Sequence, residues 1–226
     1  QPALDEQAAL AGMRARATAM LAHGVTTARD LGGRGTGRTT AFALRAAIAR
    51  GACAGPRLVL AGSPITKPQG HCWQWGGEAG SLADIRAVAA AQCVAGADVV
   101  KVMATGGVRT KGTNPAAAVF SAAELSEAVA TAAAHGRPVA AHAHGTGGIA
   151  ACVEARVHTI EHCSWVDASG HWGRVDPVVA AQLSSAGIFV CPTVPVSWAQ
   201  VWHTMPCHAM PCHAMPCHAM PCHAMP

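Results

Sequence analysis

The sequence predicts an α/β protein, an incomplete (β/α)8 TIM-type barrel of about six βα units followed by a disordered low-complexity tail. Helical and strand-like segments alternate through residues 1–203 with short connections, the pattern of a parallel sheet with helical cover. An open doubly wound sheet fits that alternation as well. The polar residues that stand out fall at or just past the C-terminal ends of successive strands, the rim where barrels place their chemistry, and this decides for the barrel. From Met205 onward the chain repeats Met-Pro-Cys-His-Ala to its end, so 1–203 is read as the barrel domain and 204–226 as the tail.

The elements follow in order. An alanine-rich helix over about Leu4–His23 leads into a strand within Gly24–Leu31. A helix around Ala41–Arg50 precedes the strand Arg57–Ala61, and a loop holding His71 follows. A helix over Leu82–Ala95 leads into the apolar strand of Asp98–Gly107. Ser121 caps the next helix, to about His135, with Glu124 three residues on completing a capping box. The strand Pro138–His142 follows, then a helix near Gly147–Ala155 and a strand Thr159–Cys163. A last helix near Pro177–Ala186 and a strand Ile188–Cys191 close the series.

At 226 residues and 51% hydrophobic, the chain can bury one sizeable core. Its formal charge of +4 is spread thinly, without basic runs interleaved with aromatics, which argues against nucleic acid as a partner. No segment has the length and apolarity of a signal peptide or membrane span, so a membrane is not expected either. Six of the ten cysteines are scattered singly through apolar segments. That distribution predicts reduced core residues in a cytoplasmic protein.

The tail has two explanations. Its adjacent Cys-His pairs suit soft metals, which would make the chain a metal-sequestering protein. Alternatively, a repeated five-base unit, ATGCC, translates into this pentapeptide without a stop codon, and the tail is then an expanded DNA repeat. Regular proline and the lack of apolar periodicity predict disorder in either case.

Lys101 is the residue that asks for chemistry. The chain has three lysines against thirteen arginines, and this one lies between Val99, Val100, Val102 and Met103. Burying an ammonium without a partner costs several kcal/mol, so such a lysine is neutralised or paired. Carbamylation by CO2 is one escape, giving a carboxylate-like group able to bridge two metals. The alternative is a lysine that snorkels from the strand end to solvent. His142 and His162 lie near the ends of the next two strands. A lone strand histidine is usually a satisfied core residue, but two of them after a buried lysine point to metal ligation.

Four motifs occur in register: Gly24-Val-Thr-Thr-Ala-Arg-Asp-Leu-Gly-Gly33, Lys101-Val-Met-Ala-Thr-Gly-Gly-Val108, His142-Ala-His-Gly145 and Thr159-Ile-Glu-His-Cys163. Together they resemble the amidohydrolase superfamily, in its imidazolonepropionase-like and Xaa-Pro or Xaa-Arg dipeptidase branch, over about residues 12–196. The resemblance implies hydrolysis of C–N amide bonds in dipeptides or cyclic amides by a hydroxide shared between two divalent metals, usually zinc. It makes Lys101 the carboxylated bridging lysine and His142 and His162 metal ligands. It gives His144 a substrate contact and His71 the polarisation of the scissile carbonyl, while Arg109 and the Gly106-Gly107 turn would hold a substrate carboxylate. A small-molecule partner is implied, and a homo-oligomer is left open. His23, His135, His158 and His171 are read as structural. Gly32–Thr39 nearly spells a phosphate-binding loop, but Arg38 stands where its lysine should be.

The resemblance also implies a His-x-His pair from a first strand and a metal-binding aspartate, the general base, from an eighth. The residues from Gln1 start within the first helix, and no aspartate follows Asp176. The expectation is therefore a fragment with two unpaired sheet edges and little or no hydrolase activity of its own, or the nonfunctional product of a truncated gene.

Overall fold

Serines at two positions start helices by the same chemistry. Ser121 accepts a hydrogen bond from the Glu124 amide while the Glu124 carboxylate accepts from the Ser121 amide, and Ser81 and Asp84 repeat the arrangement. These boxes open helices α3 (Leu82–Val94) and α4 (Ala122–Ala134) in the order α1 (Glu6–Ala22), β1 (Thr27–Asp30), α2 (Gly37–Ala49), β2 (Arg57–Leu60), α3, β3 (Val100–Met103), α4, β4 (Val139–Gly145), α5 (Thr146–Glu154), β5 (Thr159–Val166), α6 (Pro177–Ser185) and β6 (Phe189–Cys191). Loss of the Ser121 hydroxyl in Ser121→Ala is expected to cost about 1 kcal/mol. It would be read as a lower urea midpoint at unchanged slope; an unmoved midpoint would show that α4 does not depend on its cap.

The computed structural model describes residues 6–33 and 37–193, the backbone alone for 37–39. The pentapeptide tail, its expected disorder and the boundary at 203/204 lie outside these residues. So does the centre of the glycine-rich stretch, residues 34–36. Among the described residues no helix is long and apolar enough to cross a membrane. The six cysteines among them are all free thiols.

Every strand pairing is parallel: β1 with β2, and β3, β4, β5 and β6 in sequence order. Beyond β2 the chain runs on beside β3. The Asp98 amide donates to the Leu60 carbonyl at 2.7 Å, and Ile65 exchanges bonds with Lys101 and Met103 at 2.7 and 2.8 Å. The strands therefore follow one another from first to sixth, as the βα alternation predicts. The array also curls. Arg29 of β1 reaches Glu161 of β5 at 2.8 Å and the Thr159 hydroxyl at 3.2 Å, which requires β1 and β5 to face a common interior.

The period of two along each strand divides the core. Val100, Val102, Val139, Ala141 and Ile160 face outward and pack with Leu125 and Ala128 of α4 and Ile149 of α5. Inward positions carry Lys101, Ala140 and His142, in register with Thr159 and Glu161 of β5.

Two strands outrun their sequence-based ends, because β4 continues to Gly145 and β5 to Val166. The extension depends on a register shift between Ala143 and Gly145 and on left-handed backbone at His162, Cys163 and Trp165. No hydrophobic pattern signals such a bulge. A short 3₁₀ turn at Trp73–Trp75, directly after His71, was equally invisible.

Candidate active site

Strand alternation turns Lys101 into the interior, where it is 4% exposed. Its Nζ has neither solvent contact nor a hydrogen-bond partner, so the lysine does not snorkel. Burial pushes the amine down to about 7; the Glu161 carboxylate opposes the shift and the Arg29 guanidinium adds to it. Glu161 is itself buried, and its charge is already engaged by Arg29 and the Thr159 hydroxyl. The amine is left substantially neutral near neutral pH, the form that reacts with CO2.

Above it on β4, His142 and His144 occupy successive inward positions. His162 should point the other way, since it pairs in register with Ala143, whose side chain faces the helices. Its φ of +69° lies in the left-handed region, uncommon outside glycine, and that backbone turns the imidazole toward the other two. The rings of His142 and His162 are 4.8 Å apart at 76°, and those of His144 and His162 stack at 4.7 Å and 24°. One ligand nitrogen from each of the three lies within 4.8 Å of the others. His71, from the loop after β2, closes the group with its ring 4.7 Å from that of His142.

Partners around the rings set their tautomers. The Gly106 carbonyl can only accept, so the 3.0 Å contact with His142 Nε2 places a proton there and leaves Nδ1 with a lone pair. The Thr105 hydroxyl braces this carbonyl, donating to it at 2.8 Å while accepting the His144 amide at 3.1 Å. His144 Nδ1 meets the Ser164 hydroxyl at 2.8 Å, and His71 Nδ1 meets the Thr110 hydroxyl at 2.9 Å. Burial is the first cause of depressed basicity at all four rings. His144 and His162 are pushed down to about 4, His142 far below its ordinary value, and His71 below the usual range. At neutral pH they are uncharged, with lone pairs available.

Three neutral imidazoles beside an unpartnered amine make a donor set that fits a divalent metal such as zinc, which takes nitrogen and carboxylate ligands. The hydrogen bonds at His142 Nε2 and His144 Nδ1 orient those two imidazoles as such ligands require.

The remaining sequence-based candidates have different surroundings. Gly106 and Gly107 lie beside the cluster, but their amides donate within the loop, to the Ala117 carbonyl and the Thr113 hydroxyl. Gly107 serves close packing, since a Cβ there would stand 2.4 Å from the His71 ring. Arg109 is exposed, one residue before Thr110. His158 accepts the Val139 amide through Nδ1, a structural task, and His23 and His171 are exposed. The sequence reading gave no role to Arg29, Glu161, Thr105, Thr110 or Ser164. Three of them, Arg29, Thr105 and Glu161, stood inside the quoted motifs, as Ala-Arg-Asp, Ala-Thr-Gly and Ile-Glu-His, and that was the available signal.

Comparison with known proteins agrees with this geometry. Ochratoxinase of Aspergillus niger is 33% identical over 172 residues, covering 65% of this chain and 35% of that protein. This chain thus spans about a third of that relative's length. The crystal structure of A. niger ochratoxinase superposes with a TM-score of 0.75 at 27% identity, over 89% of this chain and 49% of that one. A Xaa-Pro dipeptidase with methionine bound in its active site gives 0.71 at 28% identity, covering 85% and 48%. A prolidase complexed with N-methylphosphonate-L-proline also gives 0.71 at 28% identity, over 90% and 50%. The family model matches residues 3–193, nearly the whole length over which the histidines, Lys101 and their supporting strands are laid out, and the chain belongs to the amidohydrolase family.

Proposed function

We propose that this chain carries the metal centre of a hydrolase that cleaves C–N amide bonds in dipeptides or related small amides. The observation that carries the reading is the buried Lys101 amine, unpartnered and facing three neutral imidazoles. In this reading His142, His162 and Lys101, once carbamylated, would hold the metals. The neutral Lys101 amine adds to CO2, forming an N–C bond and releasing one proton, to give a carbamate anion. The metals, two divalent ions such as zinc, would supply an acidified water and polarise the scissile carbonyl.

The chain's own residues do the rest. His71, its Nδ1 facing Thr110, presents Nε2 to the carbonyl oxygen as negative charge develops there. His144 contacts the substrate beside His162. Arg109 offers a two-pronged guanidinium to a substrate carboxylate at the rim. Gly106 and Gly107, lacking side chains, let the Asn114 backbone and the His71 ring close against the loop that carries Arg109. Relatives described as a Xaa-Pro dipeptidase and a prolidase support the substrate class. A cytoplasmic setting, where the free thiols stay reduced, fits the same reading.

The test separates metal from turnover. The full chain, stripped with a chelator, is titrated with zinc in bicarbonate buffer by calorimetry, and a panel of Xaa-Pro and Xaa-Arg dipeptides is then assayed for free amino acid and for protection of the zinc-loaded chain against urea unfolding. Zinc uptake beyond that of a His142→Ala/His162→Ala chain is expected, with little or no release of amino acid by the chain alone. Equal zinc uptake by the two chains would sink the metal centre. Failure of every dipeptide to protect the zinc-loaded chain against urea unfolding would remove the proposed substrate class.

A further inference from the structure

Trp172 is a large apolar side chain left 51% exposed beside the histidine cluster. Its indole stands edge-on to the His144 ring, with centroids 5.1 Å apart at 61°. Because His144 stacks on His162, an aromatic surface runs without a break from the indole to the proposed metal ligands. The exposure does not come from a loose loop. The amides of Gly173 and Arg174 donate to the Ser164 and Trp165 carbonyls at 3.0 and 2.9 Å, and the Asp167 amide donates to His171 at 3.0 Å. Positive φ at Gly170 and Gly173 allows the tight return on either side of His171–Trp172. Ser164 holds both parts at once. Its hydroxyl meets His144 Nδ1, and its carbonyl anchors the residue after Trp172.

A rigid indole with a free face, next to the reacting centre, is a recognition surface for a flat apolar group, which would cover it in an offset or edge-to-face contact. Tryptophan also attracts cations. Here the exposed Arg174 follows two residues on, while the Asp167 carboxylate is occupied by the Ser169 and His171 amides, so a cationic side chain is disfavoured. We infer that Trp172 and His144 form the side-chain subsite of the pocket, and that this subsite selects substrates bearing an aromatic side chain. The inference rests on the amide-hydrolase reading above and deepens it.

The full chain is labelled with 5-fluorotryptophan, loaded with zinc, and followed by fluorine NMR. The Trp172 resonance is assigned by its absence from Trp172→Phe. N-acetyl-L-phenylalaninamide is expected to move that resonance and to bind about ten times more tightly than N-acetylglycinamide. In calorimetry, Trp172→Phe should keep the preference for the phenyl probe and Trp172→Ala should lose it, both variants retaining the wild-type circular dichroism. A phenyl preference that survives in Trp172→Ala overturns the subsite. So does a Trp172 signal that neither probe moves in a chain whose zinc uptake depends on His142 and His162. If that uptake is itself missing, both the metal centre and the subsite fall together.

Discussion

Lys101→Met is expected to make the metal-free chain more stable and, at the same time, unable to respond to bicarbonate and zinc. Methionine has a similar length, is apolar, and leaves the Arg29–Glu161 ion pair in place. The lysine it replaces is held near 7 by burial, against 10.5 when exposed. Between those values the unfolded chain binds the proton and the folded chain does not, so stability rises with pH across this window. Below about pH 7 the penalty is at its full size; above 10.5 it is gone. By linkage the cost at pH 7 is on the order of 4 kcal/mol, and about 2 kcal/mol of it is relieved by pH 9. Urea unfolding in the presence of a chelator should show Lys101→Met ahead of wild type at pH 7, with the gap closing toward pH 9. Parallel pH profiles for the two chains would mean that the amine is solvated after all. Added zinc and bicarbonate should then stabilise wild type and leave the variant where it was.

Replacing His142 and His162 together by alanine is the second large effect. Removing a single partner that merely orients a ligand typically costs about 10–100-fold in metal affinity or activity. Removal of two ligands should exceed that, taking zinc affinity at the barrel site down by more than about a thousandfold. The His142 and His162 rings are neutral well below pH 7, with His162 pushed down to about 4, but the Lys101 amine is held near 7, so wild-type zinc binding should weaken as pH falls through about 7. Titration of these rings in the chelated chain, followed by NMR and centred near the ordinary histidine value, would contradict the burial that the structure gives them. The Cys-His pairs of the tail titrate in the same sample, and the double variant isolates their share.

Much of this protein was legible in its residues, and the reasons are physical. The alternation of helical and strand-like segments was legible from Leu4 to Cys191, because propensity and apolar runs are local. Ser121 and Glu124 announced the start of α4, because helix amides need acceptors that only a few residue types provide at that spacing. The apolar setting of Lys101 announced an amine either neutralised or paired, since an unpaired buried charge costs several kcal/mol. His142, His144 and His162 were drawn together from motifs alone, and the structure brings one nitrogen of each within 4.8 Å.

What sequence could not decide depends on contacts between residues distant in the chain. Arg29 and Glu161 are 132 positions apart and meet only because the strands curl. His162 lies out of step with the inward positions of β5, and only the bulge and its left-handed backbone bring it in. Gly106 and Gly107 read as a turn able to grip a carboxylate, yet their amides are engaged inside the loop, a matter of where Ala117 and Thr113 come to lie. Trp172 was one tryptophan among six until its ring stood against His144. The sequence by itself determined the order of the elements and the residue types able to bind metal, because propensity and desolvation are local. Only the tertiary structure decided which donors converge, how their tautomers are set and what walls the pocket, because those are properties of distances across a curled sheet.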